Sequence, residues 1–155
     1  MEAAKAASAR IQQGRAAPKR ETLTRLTVTL PRLLPGLNGK DGLMRQHFRA
    51  ATSAKDELLA WAKSQRLGTF GAARVTVICT RHYCGNPMDF DNAAASFKHL
   101  LDALVKAGVI ADDGPRIIDA MTFRQVRCAT KKAQHMTVEI TSCSLLAEET
   151  ANKLF

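Results

Sequence analysis

Residues 89–113 read DFDNAAASFKHLLDALVKAGVIADD. From about residue 92 to residue 107 the apolar side chains of Phe97, Leu101 and Leu104 recur at the spacing of one buried helical face, and Gly108 is the natural stop. Upstream, residues 74–80 (RVTVICT) are dense in β-branched side chains and predict a strand, separated from the helix by the irregular segment RHYCGNPM. A strand feeding a helix, with more strands beyond it, sets the fold class as α/β or α+β.

Working outward, Leu26, Val28 and Leu30 alternate with polar neighbours until Pro31, which predicts a first strand beginning near Leu23. The next stretch, RLLPGLNGKDG, carries Pro35, Gly36, Asn38, Gly39 and Gly42 and reads as a basic surface loop. Residues 43–66 are rich in Ala, Leu, Lys and Glu, with Leu58, Trp61 and Ala62 at helical spacing before Gly68, and Trp61 is assigned to the core. Residues 116–126 and 136–141 read as a second pair of strands joined by the cationic turn ATKKAQ. The order is therefore β-α-β-α-β-β: a small mixed four-stranded sheet packed with two main helices.

The chain has 155 residues, 46% of them hydrophobic, enough for one sizeable core. Three segments follow: a basic, flexible N-terminal arm (1–22), one globular domain (23–142), and a C-terminal tail or short helix (143–155). Lys and Arg number 23 against 14 Asp and Glu, a formal charge of +9 that suits a polyanionic partner, nucleic acid first. No stretch approaches the roughly 20 apolar residues that span a bilayer, and the basic start lacks the apolar run of a secretory signal, so no membrane role is expected. Cys79, Cys84, Cys128 and Cys143 form no CxxC pair, which fits reduced thiols in a cytoplasm. Cys79, His82 and Cys84 lack the second close pair of a structural zinc site.

The acidic residues carry the chemistry. If Asp89-Phe90-Asp91 is extended, Asp89 and Asp91 point to one side, and two adjacent carboxylates invite a divalent cation. The competing reading has Asp91 or Asn92 capping the helix, with Asp89 too early to cap. Lys98, seven residues after Asp91, is either an i,i+4 partner of Asp102 or a cation aimed at a phosphate-bearing site. Asp112-Asp113-Gly114 is either a turn or a further pair of carboxylates brought back to the first.

The order DFDN, Lys98, then LLDALVKAGVIADD resembles the signature of the RusA-type Holliday-junction resolvases, a likeness covering roughly residues 26–140 and strongest between Asp89 and Asp113. The resemblance implies a homodimer of small α/β subunits that uses Mg²⁺ or Mn²⁺ to make paired nicks in four-way DNA junctions, inside a bacterial or phage-infected cell. It implies that Asp89, Asp91 and Asp113 hold metal, with Asp112 as a second-rank ligand, and that Lys98 supports the phosphate chemistry. It places Asn38 and Lys40 near DNA. Arg32, Arg45, Arg49, Lys131 and Lys132 are further candidates for phosphate contact on charge.

Two features depart from the family pattern. Lys98 lies six residues after Asn92, three more than in compact members, although its four-residue spacing to Asp102 agrees. Three residues turn an α-helix by about 300°, so the lysine keeps its place only if the extra residues are absorbed at the helix start. The aromatic residue usually found close behind the loop asparagine is missing. The rival expectations are a nuclease acting on other branched DNA or on RNA, and a junction-binding protein without cleavage.

Overall fold

The computed structural model describes residues 20–38, 42 and 48–146, the side chains of 48–51 excepted. Residues 1–19, Lys40, Arg45, the expected helix start at 43–47 and the tail beyond residue 146 lie outside them. The order is β1 (Arg25–Leu30), α1 (Phe48–Ser64), β2 (Val75–Tyr83), α2 (Phe90–Ser96), α3 (Lys98–Lys106), β3 (Ile118–Arg127) and β4 (His135–Ser142), with a 3-10 turn at Lys131–Ala133. This is a mixed α+β fold on a four-stranded mixed sheet, the class expected from the sequence.

The strands lie in the order β1-β4-β2-β3. β1 and β2 both run antiparallel to β4, whereas β3 runs parallel to β2. The expected pairing of the last two strands is therefore overturned: β3 and β4 are separated by β2. The chain between them is not a tight hairpin, because after the 3-10 turn it crosses the end of β2.

Alternation divides the sheet into two faces. Val28, Leu30, Val75, Val77, Cys79, Met136, Val138 and Ile140 are buried, and they form one core with Leu58 and Ala62 of α1 and Phe97, Leu100, Leu101 and Leu104 of the later helices. Trp61 packs against this core half-buried. The opposite face is rich in threonine, with Thr27, Thr29, Thr76, Thr122, Thr137 and Thr141, a β-branched residue suited to a solvated pleat.

Three boundaries differ from expectation. β2 continues through Arg81, His82 and Tyr83, because Arg81 is buried and its guanidinium donates to the Leu34 carbonyl at 2.8 Å. α1 ends at Ser64, and the left-handed turn behind it is made by Arg66, at φ 50°. The body begins before residue 23: Leu23 N donates to Thr69 O, Thr69 N donates to Glu21 O, and Arg20 donates to the Ala107 carbonyl at 2.5 Å.

Candidate active site

β2 leads through residues 84–88 into α2, and the junction is fixed by one side chain. The Gln125 amide accepts from Met88 N at 2.9 Å and donates to Met88 O at 2.7 Å, taking the place of a neighbouring strand. The next residue, Asp89, is the N-cap of α2: its Oδ1 accepts from Asn92 N at 3.2 Å. This corrects two expectations. Asp89, rather than Asp91 or Asn92, caps the helix, and Asp89-Phe90-Asp91 is a helix start instead of an extended segment. Successive residues there step by about 100°, so the two carboxylates do not share a side as they would on a strand.

Asn92 has a different task. Its Oδ1 accepts from Asn38 N at 3.0 Å, docking the 31–38 loop on the start of α2. The fit depends on Gly36, where a Cβ atom would stand 2.9 Å from Asn92 O. Arg81 holds the same loop through Leu34 O, and Leu34 N donates to Met136 Sδ at 3.2 Å. The loop that carries Asn38 is thereby tied to β2, β4 and α2.

The helix expected over 92–107 is two helices meeting at Phe97, whose N–H bonds Ala94 O in a tightened turn. Phe97 keeps right-handed dihedrals (φ −87°, ψ −15°), so the chain goes on turning in the same sense. Seven residues amount to nearly two full turns, which puts Lys98 back on the face of Asp91.

Lys98 makes the i,i+4 contact with Asp102 that its spacing suggested, and a second one with Asp113. Its Nζ lies 2.9 Å from Asp102 Oδ1 and 2.5 Å from Asp113 Oδ2. Asp113 arrives because α3 ends at Lys106 and the chain turns at Gly108, whose φ of 74° favours glycine, then folds back through Val109 and Ile110, both buried. Asp112 turns inward on its own backbone, its Oδ1 accepting from Asp113 N at 2.9 Å. The hydrogen bond to Asp113, followed by that to Asp102, holds the Lys98 ammonium above its ordinary range, and Lys98 in turn holds Asp113 below the usual carboxylate range.

The cluster borders a cleft of about 390 Å³ lined by Leu37, Ala94, Ala95, Leu101, Met121 and Phe123, with Lys98 and Asp113 as its charged lining. The small alanines of AAAS leave this space open. A larger hollow of about 540 Å³ lies between Arg20 and α1 and contains none of the expected site residues.

Asp91 and Lys98 are seven residues apart, about 10 Å along the helical rise, so Asp113 reaches the lysine end of this line rather than the Asp89–Asp91 end. Among the described residues no three His, Cys, Asp or Glu side chains are grouped so as to hold a metal ion. Cys79 is buried in the core, and burial pushes its thiol up to about 12. Of the residues expected at DNA, Arg32 pairs with Glu57 at 2.8 Å, Asn38 is exposed beside Asn92, and Lys131 and Lys132 are exposed on the 3-10 turn. Lys40 and Arg45 lie outside the described residues, as does the side chain of Arg49.

Of the residues that build the site, Asp102 was named only as a pair for Lys98, and Gln125 was not named at all. The four-residue spacing signalled the first, while no local pattern signals the second, which acts across 37 residues. No known protein-family profile matches the chain, and no curated protein matches it either. Among the described residues no helix is long and apolar enough to cross a membrane.

Proposed function

We propose that this chain is a metal-dependent, structure-selective endodeoxyribonuclease that resolves four-way DNA junctions as a homodimer. The observation that carries the reading is the Lys98–Asp113–Asp102 cluster beside a cleft, on the helical face that also bears Asp91. Residues that the resemblance names as separate motifs meet there in space.

Mg²⁺ is held in phosphoryl-transfer sites by one or two carboxylates plus substrate phosphates, so Asp91 at one end of this line, or Asp113 at the other, would be a protein donor that a phosphodiester completes, without the two sharing one ion. Asp89 is a third donor through the oxygen that does not cap α2, and Asp112 stands beside Asp113. When bound, Mg²⁺ or Mn²⁺ supplies Lewis-acid polarisation of a phosphate oxygen and a hydroxide at neutral pH. Lys98, already protonated and held by two carboxylates, offsets charge that grows on the phosphate as the bond breaks. The docked 31–38 loop presents Asn38 at one edge, with Lys40 following it in the chain. A two-fold dimer would put equivalent sites on equivalent junction strands.

A second reading, a branched-DNA-binding protein without cleavage, is favoured by two observations: Asp89 is engaged as a cap, and the described carboxylates form no three-membered metal group. The test is incubation with a synthetic junction and a matched linear duplex, in Mg²⁺ or EDTA, comparing the native chain with Asp91→Asn and Asp113→Asn. Paired nicks confined to the junction, dependent on Mg²⁺ and abolished by either substitution, support the nuclease. Tight junction binding with no nick in Mg²⁺ or Mn²⁺ establishes the binder. Nicking of forks or RNA in preference to junctions reassigns the substrate.

A further inference from the structure

From Ala120 to Val138 the chain carries Arg124, Arg127, Lys131, Lys132 and His135 and no acidic residue. The fold wraps this stretch around one end of the sheet. β3 reaches Arg127 opposite Tyr83, the 3-10 turn presents Lys131 and Lys132, and β4 returns with His135 opposite His82. The imidazole rings of His82 and His135 stack, with centroids 3.9 Å apart and planes 11° from parallel. Arg124, Arg127, Lys131 and Lys132 are exposed, and none forms an ion pair among the described residues. Arg124 shares the face of His82, Arg127 ends β3 on the other face, and Lys131 and Lys132 stand on the turn beyond; this rim of the sheet thus carries cations of one sign, which a row of phosphates neutralises with release of counterions.

We propose that this end of the sheet binds the phosphodiester backbone of nucleic acid through Arg124, Arg127, Lys131 and Lys132, and that the stacked His82–His135 pair takes up a proton as the phosphates arrive. This rests on the nucleic-acid half of the reading above and is independent of cleavage.

Alternation places His82 with Thr80, its β3 neighbours Arg124 and Val126, and its β4 neighbours His135 and Thr137. Cys84 and Cys128 follow the ends of β2 and β3, and Lys131 and Lys132 stand on the adjoining turn. The nearest acid on this face of β4 is Glu139, four residues and about 13 Å along the strand from His135. Burial first, and then His135, hold His82 below the ordinary histidine range. A phosphate brings the missing negative charge, so the bound complex holds more protons than the free protein. Affinity must then rise as pH falls, by up to about tenfold per pH unit for one proton.

The measurement is fluorescence anisotropy with a labelled duplex and a labelled four-way junction in EDTA, at pH 7.5 and 5.5 and over a salt series. The native chain is expected to bind at least fivefold more tightly at pH 5.5. His82→Asn with His135→Asn removes most of that gain, and His135→Gln alone serves if the double variant melts near assay temperature. Lys131→Ala with Lys132→Ala makes the slope of log K against log salt shallower by about two. An unchanged salt slope overturns the phosphate contact, and a histidine variant that keeps the full acid gain overturns the proton uptake. Because EDTA abolishes metal-dependent cutting, a chain that never cleaves still passes or fails here on binding alone.

Discussion

Lys98 Nζ lies 2.5 Å from Asp113 Oδ2 across 15 residues of sequence, and the same ammonium holds Asp102 Oδ1 at 2.9 Å. The lysine thus bridges the start of α3 to the turn that follows it. Its side chain is 55% exposed and that of Asp113 32%, so the bridge is worth little as a stabilising contact. Its value lies in fixing where the positive charge stands.

Lys98→Met is therefore expected to cost less than about 1 kcal/mol of stability while lowering junction nicking about 100-fold or more. Thermal melts and single-turnover nicking measure the two separately. Full nicking by the variant would reduce Lys98 to a surface ion pair.

The pH dependence of the cluster has two limbs. Asp113 sits below its unfolded value of 3.8, so its contribution is present above that pH and disappears as pH falls through the folded value. Lys98 sits above its unfolded value of 10.5, so its share is present below that pH and is lost as pH rises through the folded value. Urea midpoints should consequently show a small acid-side loss that Asp113→Asn removes, with the alkaline loss shrinking in Lys98→Met.

His99 is a liability in the fold: both ring nitrogens are enclosed without a hydrogen-bond partner among the described residues. Burial, and after it the charge of Lys55, hold this imidazole below its unfolded value of 6.5. The unfolded chain accepts the proton first, so stability falls as pH drops below 6.5. His99→Leu should raise stability at pH 7 by about 1 kcal/mol, since two unsatisfied polar atoms are replaced by apolar ones. Chemical denaturation at pH 7 and pH 5 checks both, and equal stability loss on acidification in variant and parent would assign that loss to other groups.

Gly36→Ala inserts a methyl group 2.9 Å from Asn92 O and 3.1 Å from Asn92 Cβ. The loop must move off α2, at a cost of about 1–3 kcal/mol. Faster hydrogen exchange at the Asn38 amide would report the lost bond to Asn92, and junction affinity should fall with it. Unaltered exchange would mean that the loop is held by Arg81 and Met136 alone.

The elements that depend on near neighbours were readable in the residues themselves. Leu26, Val28 and Leu30 announce β1 by alternation, and Phe97, Leu101 and Leu104 announce the buried helical face, all three nearly inaccessible in the fold. What escaped depends on distant partners. Arg81 looks like the end of a strand until the Leu34 carbonyl, 47 residues away, accounts for its burial. Asp89 looks too early to cap because the helix was expected to start after DFDN, whereas Gln125 pins Met88 and lets the helix begin at Phe90. Likewise β3 and β4 look like neighbours in sequence, and only the parallel pairing of β3 with β2 separates them. The second acidic motif was expected to return to the first carboxylates, whereas Asp113 meets Lys98 instead.

The placement of β4 between β1 and β2 also governs how the chain can be made. β1 leaves a ribosome well before residues 136–141, its strand partner among the described residues. Until then β1 has no ladder to join, and β2 can pair with β3 alone. The nascent chain must carry an apolar, unpaired β1 while β2 and β3 are made, which makes the interval before β4 emerges a period of exposure to aggregation and to chaperone capture.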